Sequence, residues 1–126
     1  MGYHAVRVED VEFVQRDDGR SMAFITDAAQ LKQSRARVWR YPPGARGRRH
    51  QDHAQEEVFV VISGTLTMLL GDPPERVDFL GPASVVAVEP MTPLQVRNES
   101  NEELVLFVYG APPEQAGADF LPDVGA

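Results

Sequence analysis

Short runs of apolar and β-branched residues, separated by turn residues, recur along almost the whole of this 126-residue chain. The runs EVFVVIS and GTLTMLL meet at Ser63-Gly64, and the turn GDPPE at residues 71–75 follows the second run. Short strands with turn residues between them are typical of all-β sandwiches and barrels. The predicted strands are YHAVRV, VEFV, RARVWRY, EVFVVIS, GTLTMLL, RVDFL, SVVAVE, LQVRN and ELVLFVYG. The pattern therefore predicts an all-β fold.

The chain is close to the usual size of one domain, and its hydrophobic fraction of 43% predicts one buried core. Without an internal repeat or a domain boundary, residues 1–126 are predicted to form a single domain. One short helix is predicted at residues 27–33, with Asp27 as its cap and Gln30 as the capping-box partner. The Pro/Gly-rich tail at residues 111–126 is expected to cross the surface, with Phe120 and Leu121 docking it.

Composition limits the location and the partners. The chain has no cysteine, which excludes disulfides and thiolate ligands. No apolar span reaches about 18 residues, and the first residues do not resemble a signal peptide, so neither a membrane helix nor export is predicted. The net charge of −7 argues against nucleic acid. We therefore expect a cytoplasmic protein. Its one basic run, ARGRRH, holds Arg46, Arg48 and Arg49, which could steer an anion or simply be solvated.

The stretch HQDHAQEE at residues 50–57 concentrates groups that bind metals. His50 and Asp52 are two residues apart, so both side chains can point to one face of a strand. Glu57 begins the next apolar run and can approach them from a neighbouring strand. One imidazole and two carboxylates suit Mn, Fe, Ni or Zn. His53 is out of phase with His50 and would need a bulge to turn inward.

These residues resemble the first motif of the cupin superfamily, G-x5-H-x-H-x3–4-E-x6-G. Gly44, His50, Glu57 and Gly64 match it, and Asp52 stands in place of the second histidine. The resemblance extends over about residues 35–110. It implies a cupin-type double-stranded β-helix, a jelly-roll barrel with a ligand cavity inside.

The second cupin motif, P-x-G-x2-H-x3-N, is resembled more distantly by residues 89–98. Asn98 matches, whereas Glu89 replaces the proline, Met91 the glycine and Leu94 the third histidine. By position, the resemblance implies the ligand set His50, Asp52, Glu57 and Leu94, of which leucine cannot coordinate a metal. His53, Gln95 from a slipped strand or His4 from the N-terminal region are the substitutes that the sequence offers.

The predicted cavity residues combine these polar groups with apolar walls. They are His50, Asp52, Glu57, Phe59, Met91, Leu94 and Trp39. Arg46, Arg48 and Arg49 are expected near its mouth.

Three functions stay open at this point. The first is a small-molecule-binding cupin with a degenerate or absent metal site. The second is a metal-dependent dioxygenase or isomerase that uses His50, Asp52 and Glu57. The third is a metal-free enzyme in which the same groups act as acid and base. The cofactor is accordingly none or a divalent metal (Mn, Fe, Ni or Zn). Because an open sheet edge invites pairing, we also expect a homodimer, as cupins commonly form.

Overall fold

The computed structural model describes residues 2–125 and contains two antiparallel sheets. In chain order the strands are β1 (Phe13–Gln15), β2 (Ser21–Phe24), β3 (Arg35–Tyr41), β4 (His50–Gln51), β5 (Glu56–Ser63), β6 (Leu66–Leu70), β7 (Glu75–Leu80), β8 (Val85–Val88), β9 (Leu94–Arg97), β10 (Leu104–Ala111) and β11 (Asp119–Phe120). A 3-10 turn at Val8–Asp10 and a single helical turn, α1, at Ile25–Ala28 complete the secondary structure. No helix within the described residues is long and apolar enough to cross a membrane.

The chain passes back and forth between the two sheets. One sheet has the order β1-β2-β3-β10-β5-β8 and the other β11-β4-β9-β6-β7. Neighbouring strands therefore often come from opposite ends of the chain, as when β10 lies between β3 and β5. This arrangement confirms the predicted all-β jelly-roll barrel.

The main core fills the space between the sheets. Its centre consists of side chains with no more than 4% exposure from both sheets: Tyr41, Phe59, Val61, Leu66, Met68, Val88, Leu94, Leu104 and Leu106. Gly64 permits the tight connection from β5 to β6, because its φ is +84° and a Cβ there would lie 2.3 Å from the Glu103 carbonyl oxygen. A smaller cluster covers the other face of β3, where Ala36 and Val38 pack with Ala23 and Ile25.

The N-terminal region differs from the sequence prediction in two places. The predicted strand YHAVRV is wrong: residues 3–7 form no ladder, and the sheet ends at β1. The predicted helix at residues 27–33 is also wrong in its bounds, because α1 begins at Ile25 and Asp27 lies inside it rather than capping it. The left-handed φ of Gln30 (55°) stops the helix, and the Oγ1 of Thr26 ties it to β3 by accepting from the Ala36 N–H at 2.9 Å.

The C-terminal tail is held against the barrel along its length. Its short strand β11 pairs with β4, so that Phe120 lies opposite His50. Before it, the Glu114 carboxylate accepts hydrogen bonds from backbone N–H groups of residues 53–55. After it, Asp123 accepts from Arg46 at 2.9 Å and from Gln95 at 2.7 Å. The tail thus forms part of one end of the barrel.

Candidate metal and ligand site

His50, Asp52 and Glu57 come together at one side of the barrel interior. His50 is in β4, Asp52 follows in the connecting loop, and Glu57 is the second residue of β5. One ligand atom from each lies within 4.8 Å of the others. His50 Nε2 and Glu57 Oε1 lie 3.0 Å apart. The three predicted residues therefore lie close together, although β4 ends at Gln51 and the loop, rather than strand alternation, orients Asp52.

The His50 ring is oriented by a backbone carbonyl. Nδ1 lies 3.1 Å from the carbonyl oxygen of Arg48, which can only accept, so Nδ1 carries a proton and donates it. Nε2 also needs a proton to donate to Glu57, which makes His50 cationic in the metal-free protein, and loss of that proton leaves the Nε2 lone pair free for a metal. The resulting neutral form is the tautomer that a metal-binding histidine needs. The hydrogen bond to Glu57 and its negative charge outweigh burial, which alone would lower the His50 pKa, and so raise it.

The two carboxyl groups have opposite pKa shifts. Burial raises the pKa of Asp52 to about 6, and its hydrogen bond with Glu57 and the Glu57 charge act in the same direction. Burial would also raise the pKa of Glu57, but hydrogen bonds from His50 and Asp52 outweigh it and lower this pKa. Gln55 fixes Asp52 further by donating from Nε2 to Asp52 Oδ2 at 3.1 Å. Asp52 is therefore the carboxyl of the pair that holds a proton to higher pH.

The donor set fits a divalent transition metal. Ligand atoms at about 2.0–2.2 Å from a tetrahedral or octahedral ion lie roughly 3–3.5 Å apart. The His50–Glu57 contact of 3.0 Å already meets this, and Asp52 lies within reach of both. Three protein ligands of this kind also leave coordination positions open for a small molecule.

The substitutes for the missing histidine do not reach this group. Leu94 pairs with His50 across β4 and β9 and is 2% exposed, so an apolar side chain occupies the position beside the site. His53 points outward, where its Nε2 lies 2.9 Å from Asp119 Oδ1. Gln95, on the opposite face of β9 from Leu94, is used by Gly47, Arg97 and Asp123. His4 lies in the irregular N-terminal segment. His53 and Gln95 are thus wrong as candidate ligands, and His4 is not among the residues grouped at the site.

A cavity of about 410 Å³ opens beside the three polar residues. Of the residues predicted to line it, the structure places six in its wall: His50, Asp52, Glu57, Phe59, Leu94 and Trp39. Met91 is the exception and its assignment is wrong. Its backbone N–H donates to the Asp52 carbonyl oxygen at 2.6 Å, but the side chain turns outward and is 54% exposed.

The cavity wall is more basic than the sequence predicted. Of the arginine loop only Arg48 lines it, stacked 3.7 Å from the Phe120 ring, because Arg46 and Arg49 are bound to the tail. Four further arginines line the wall: Arg16, Arg20, Arg35 and Arg37. Against these five cations stand three carboxylates, Asp52, Glu57 and Glu114, which leaves a formal excess of two positive charges in a chain of net −7.

Sequence reasoning missed Arg16, Arg20, Arg35, Arg37 and the buried Gln55 as cavity residues. A signal existed for Arg20, Arg35 and Arg37. Arg35 has the same parity as Arg37, Trp39 and Tyr41 in β3, and Trp39 was already assigned to the cavity. Asp18-Gly19, a turn dipeptide between two short runs, would have predicted the hairpin that brings Arg20 against Trp39, 4.7 Å from the ring centroid. Nothing in the sequence singled out Gln55.

Comparison with known proteins agrees with this architecture. Residues 37–110, more than half of the chain, match the Cupin domain family. The chain therefore belongs to the cupin family. No curated protein matches it.

Solved structures share the fold at low sequence identity. A sugar phosphate isomerase from a cupin superfamily, from Silicibacter pomeroyi, is 22% identical with a TM-score of 0.74, covering 86% of this chain and 75% of its own. KdgF from Halomonas sp. is 14% identical with a TM-score of 0.71, covering 86% and 94%. The polyketide cyclase RemF from Streptomyces resistomycificus is 15% identical with a TM-score of 0.75, covering 96% and 87%.

Proposed function

We propose that this cupin binds a divalent metal ion through His50, Asp52 and Glu57 and uses the site to hold and transform a small oxygen-bearing molecule in the adjoining cavity. The observation that carries the proposal is the convergence of one imidazole and two carboxylates on a cavity wall, within 4.8 Å of one another. It favours the metal-dependent alternative among the three that the sequence left open. The chemistry is of the isomerase type, which needs proton transfer beside a polarised oxygen.

The chain's own residues divide this work. When bound, the metal would supply a Lewis acid that polarises a carbonyl or hydroxyl oxygen. Asp52, with a pKa of about 6 in the metal-free protein, releases its proton near neutral pH and is then available as a ligand. The apolar side chains of Phe59 and Leu94 exclude water from the same wall. The structural similarity to the sugar phosphate isomerase from Silicibacter pomeroyi supports the reaction class.

Metal binding is tested on protein purified without a histidine tag. We expect elemental analysis after incubation with Mn²⁺, Fe²⁺, Ni²⁺ or Zn²⁺ to find about one ion per chain, as a single three-ligand group predicts. His50→Ala removes the only imidazole of the group and should abolish binding. His53→Ala is the matched control, because this nearby histidine is exposed and paired with Asp119. Circular dichroism checks that both variants fold.

Two results would contradict the proposal. One is a wild-type protein that takes up none of the four ions. The other is a His50→Ala protein that keeps a full equivalent of metal. In addition, Leu94→His places an imidazole opposite His50 and should tighten Zn²⁺ binding in calorimetry.

The hydrogen bond between Asp52 and Glu57 favours a second candidate, metal-free acid–base catalysis. In that case the two carboxyl groups and His50 would shuttle protons by themselves. Absence of metal uptake together with an Asp52 pKa near 6 would select this candidate over the first.

A further inference from the structure

Three arginines in the cavity wall are not held by a carboxylate within the described residues, although Arg37 lies 5.9 Å from the Phe24 ring centroid. Arg35 and Arg37 project from β3, and Arg16 follows β1 in the adjoining hairpin. Within residues 2–125, none of the three forms an ion pair with a carboxylate. By contrast, Arg20 binds Asp18 and Arg46 binds Asp123.

Their proximity is electrostatically unfavourable in the ligand-free protein. Burial lowers the pKa of Arg37, and the like charges of Arg35 and Arg16 lower it further, while the charges of Glu57 and Asp52 offset part of the shift. The chain has 19 acidic residues, so carboxylates to neutralise this cluster are plentiful. A cluster of like charges that faces a cavity and is left unpaired is typical of a site that a ligand of opposite charge completes.

Two buried polar atoms of the same wall also lack a hydrogen-bond partner among the described residues. One is a donor, Arg35 Nε, and the other is an acceptor, Gln55 Oε1. Gln55 is 3% exposed, and its amide packs on Gly110, where a Cβ would lie 2.4 Å from Gln55 Cδ. Its orientation is set because Nε2 already donates to Asp52. Since buried polar groups are nearly always paired, each atom needs a partner that a ligand or an ordered water can supply: an acceptor for Arg35 and a donor for Gln55.

Sheet register connects this cluster to the metal-binding residues. Arg35 pairs with Gly110 of β10, and Gly110 pairs with Glu57 of β5. Two interstrand spacings separate Arg35 from Glu57, which is about 10 Å between their backbones. Gly110 contributes no side chain between them and the Gln55 amide covers it, so a small molecule that contacts both ends also lies against Gln55.

We propose that Arg16, Arg35 and Arg37 bind the anionic group of a hydroxylated small molecule, a phosphate or a carboxylate, while Gln55 accepts a hydrogen bond from its hydroxyl. The inference rests on the proposed function, because it places the other end of the same ligand at His50, Asp52 and Glu57. It specifies the substrate class as a hydroxylated anion of sugar size. The cavity of about 410 Å³ accommodates such a molecule.

Calorimetry on chelator-treated protein tests the inference with four probes. Glucose 6-phosphate and gluconate carry hydroxyl groups together with a phosphate or a carboxylate, inorganic phosphate carries the anion alone, and glucose carries hydroxyls alone. We expect glucose 6-phosphate or gluconate to bind, and which of them binds tighter identifies the anion. Inorganic phosphate should bind more weakly, and glucose should not bind. Equal affinity for glucose, or no binding by any anion, would overturn the proposal.

Matched variants locate the subsite. Arg35→Gln should weaken binding of the preferred anion at least about tenfold, since charge-assisted bonds to an anion are the stronger kind. Arg40→Gln is the control, because Arg40 lies on the opposite face of β3, stacked 3.8 Å from the Phe13 ring. Equal affinities in the two variants would contradict the assignment. Thermal unfolding verifies that both are folded.

A separate binding experiment tests the role of Gln55. Gln55→Met keeps the side-chain size but removes the acceptor, so it should weaken glucose 6-phosphate or gluconate and leave inorganic phosphate unchanged. An equal loss for inorganic phosphate would show that Gln55 supports the wall rather than a hydroxyl. Because binding is measured without metal, and can be repeated in His50→Ala, failure of the metal site and failure of the anion subsite are separate results.

Discussion

Asp52 is the residue at which this site departs most from the histidine-rich pattern that the first cupin motif implies. A neutral imidazole at this position would leave Glu57 as the only carboxylate of the group. Asp52 adds a second one next to it, at 7% exposure. The cost of two neighbouring carboxylates is reduced by a shared proton and by His50, which lies 3.0 Å from Glu57. Proton and metal therefore compete for the same three side chains.

The Asp52 carboxyl is expected to titrate near pH 6 in the metal-free protein. This pKa lies above the ordinary value of 3.8, so the folded state keeps a proton that the unfolded chain has released. The contribution of Asp52 to the free energy of unfolding therefore falls as pH rises from about 4 to 6. Carbon-13 NMR of the aspartate carboxyl groups measures the pKa directly, with Asp52→Asn to assign the signal. A value near 4 would contradict the prediction, and Zn²⁺ should abolish the transition.

In the connection from β8 to β9, a residue other than glycine adopts a backbone conformation that favours glycine. Met91 stands where the second cupin motif has glycine, yet it adopts a left-handed φ of 63°. Its N–H holds the Asp52 carbonyl oxygen at 2.6 Å, so this shape supports the candidate metal site. The Met91 side chain is exposed, so its packing does little to offset the strained backbone.

Replacing Met91 by glycine is therefore expected to stabilise the protein by about 0.5–1 kcal/mol, since a left-handed conformation costs a side chain roughly 1–2 kcal/mol and glycine flexibility offsets part of the gain. Urea unfolding of both proteins measures the difference. Thr92→Gly is the control, because Thr92 has no positive φ and should lose stability. If Met91→Gly lost as much stability as Thr92→Gly, the Met91 side chain would matter more than its backbone strain.

At the scale of the whole molecule, the open edges of the two sheets differ in charge. β7 carries Glu75, Arg76 and Asp78, whereas β1 (Phe13–Gln15) and β8 (Val85–Val88), the two edges of the other sheet, carry no charge, and β8 has the more exposed apolar side chains. Sheet edges without charge are the ones that pair most readily with another copy. Val85 and the nearby Ile62 are 60% and 48% exposed along this edge. The expected homodimer is therefore proposed to form through β8.

Analytical ultracentrifugation tests this proposal. The wild-type protein should sediment as a dimer at micromolar concentration. Val85→Lys should shift it to monomer, because a charge on an exposed edge strand opposes pairing. Val14→Lys is the control on the opposite edge of the same sheet, in β1, where the side chain is 42% exposed. A monomeric wild type, or a dimer unaffected by Val85→Lys, would contradict it.

The cytoplasmic location also stays a prediction.

Local periodicity was sufficient for most of the strands and for the metal-binding group. The alternation of RARVWRY matches β3 residue for residue, and EVFVVIS corresponds to β5 from Glu57 onward. His50, Asp52 and Glu57 could be found because only six residues separate the first from the last. Strands β2, β4 and β11 were missed, since strands of two to four residues contain too little pattern. Their form depends on pairing with neighbours that the sequence does not identify.

The sequence by itself determined the all-β class and the candidate ligands, because alternation and turn residues act between near neighbours. The tertiary structure decided what the cavity can bind. Arg16 and Arg35 are 19 residues apart, and Gln55 is 20 residues further along the chain, yet all three line one wall. The order of the strands brings them together, and packing of the two sheets sets the space between them. Contacts of this range follow from the global arrangement of strands, which no local pattern encodes.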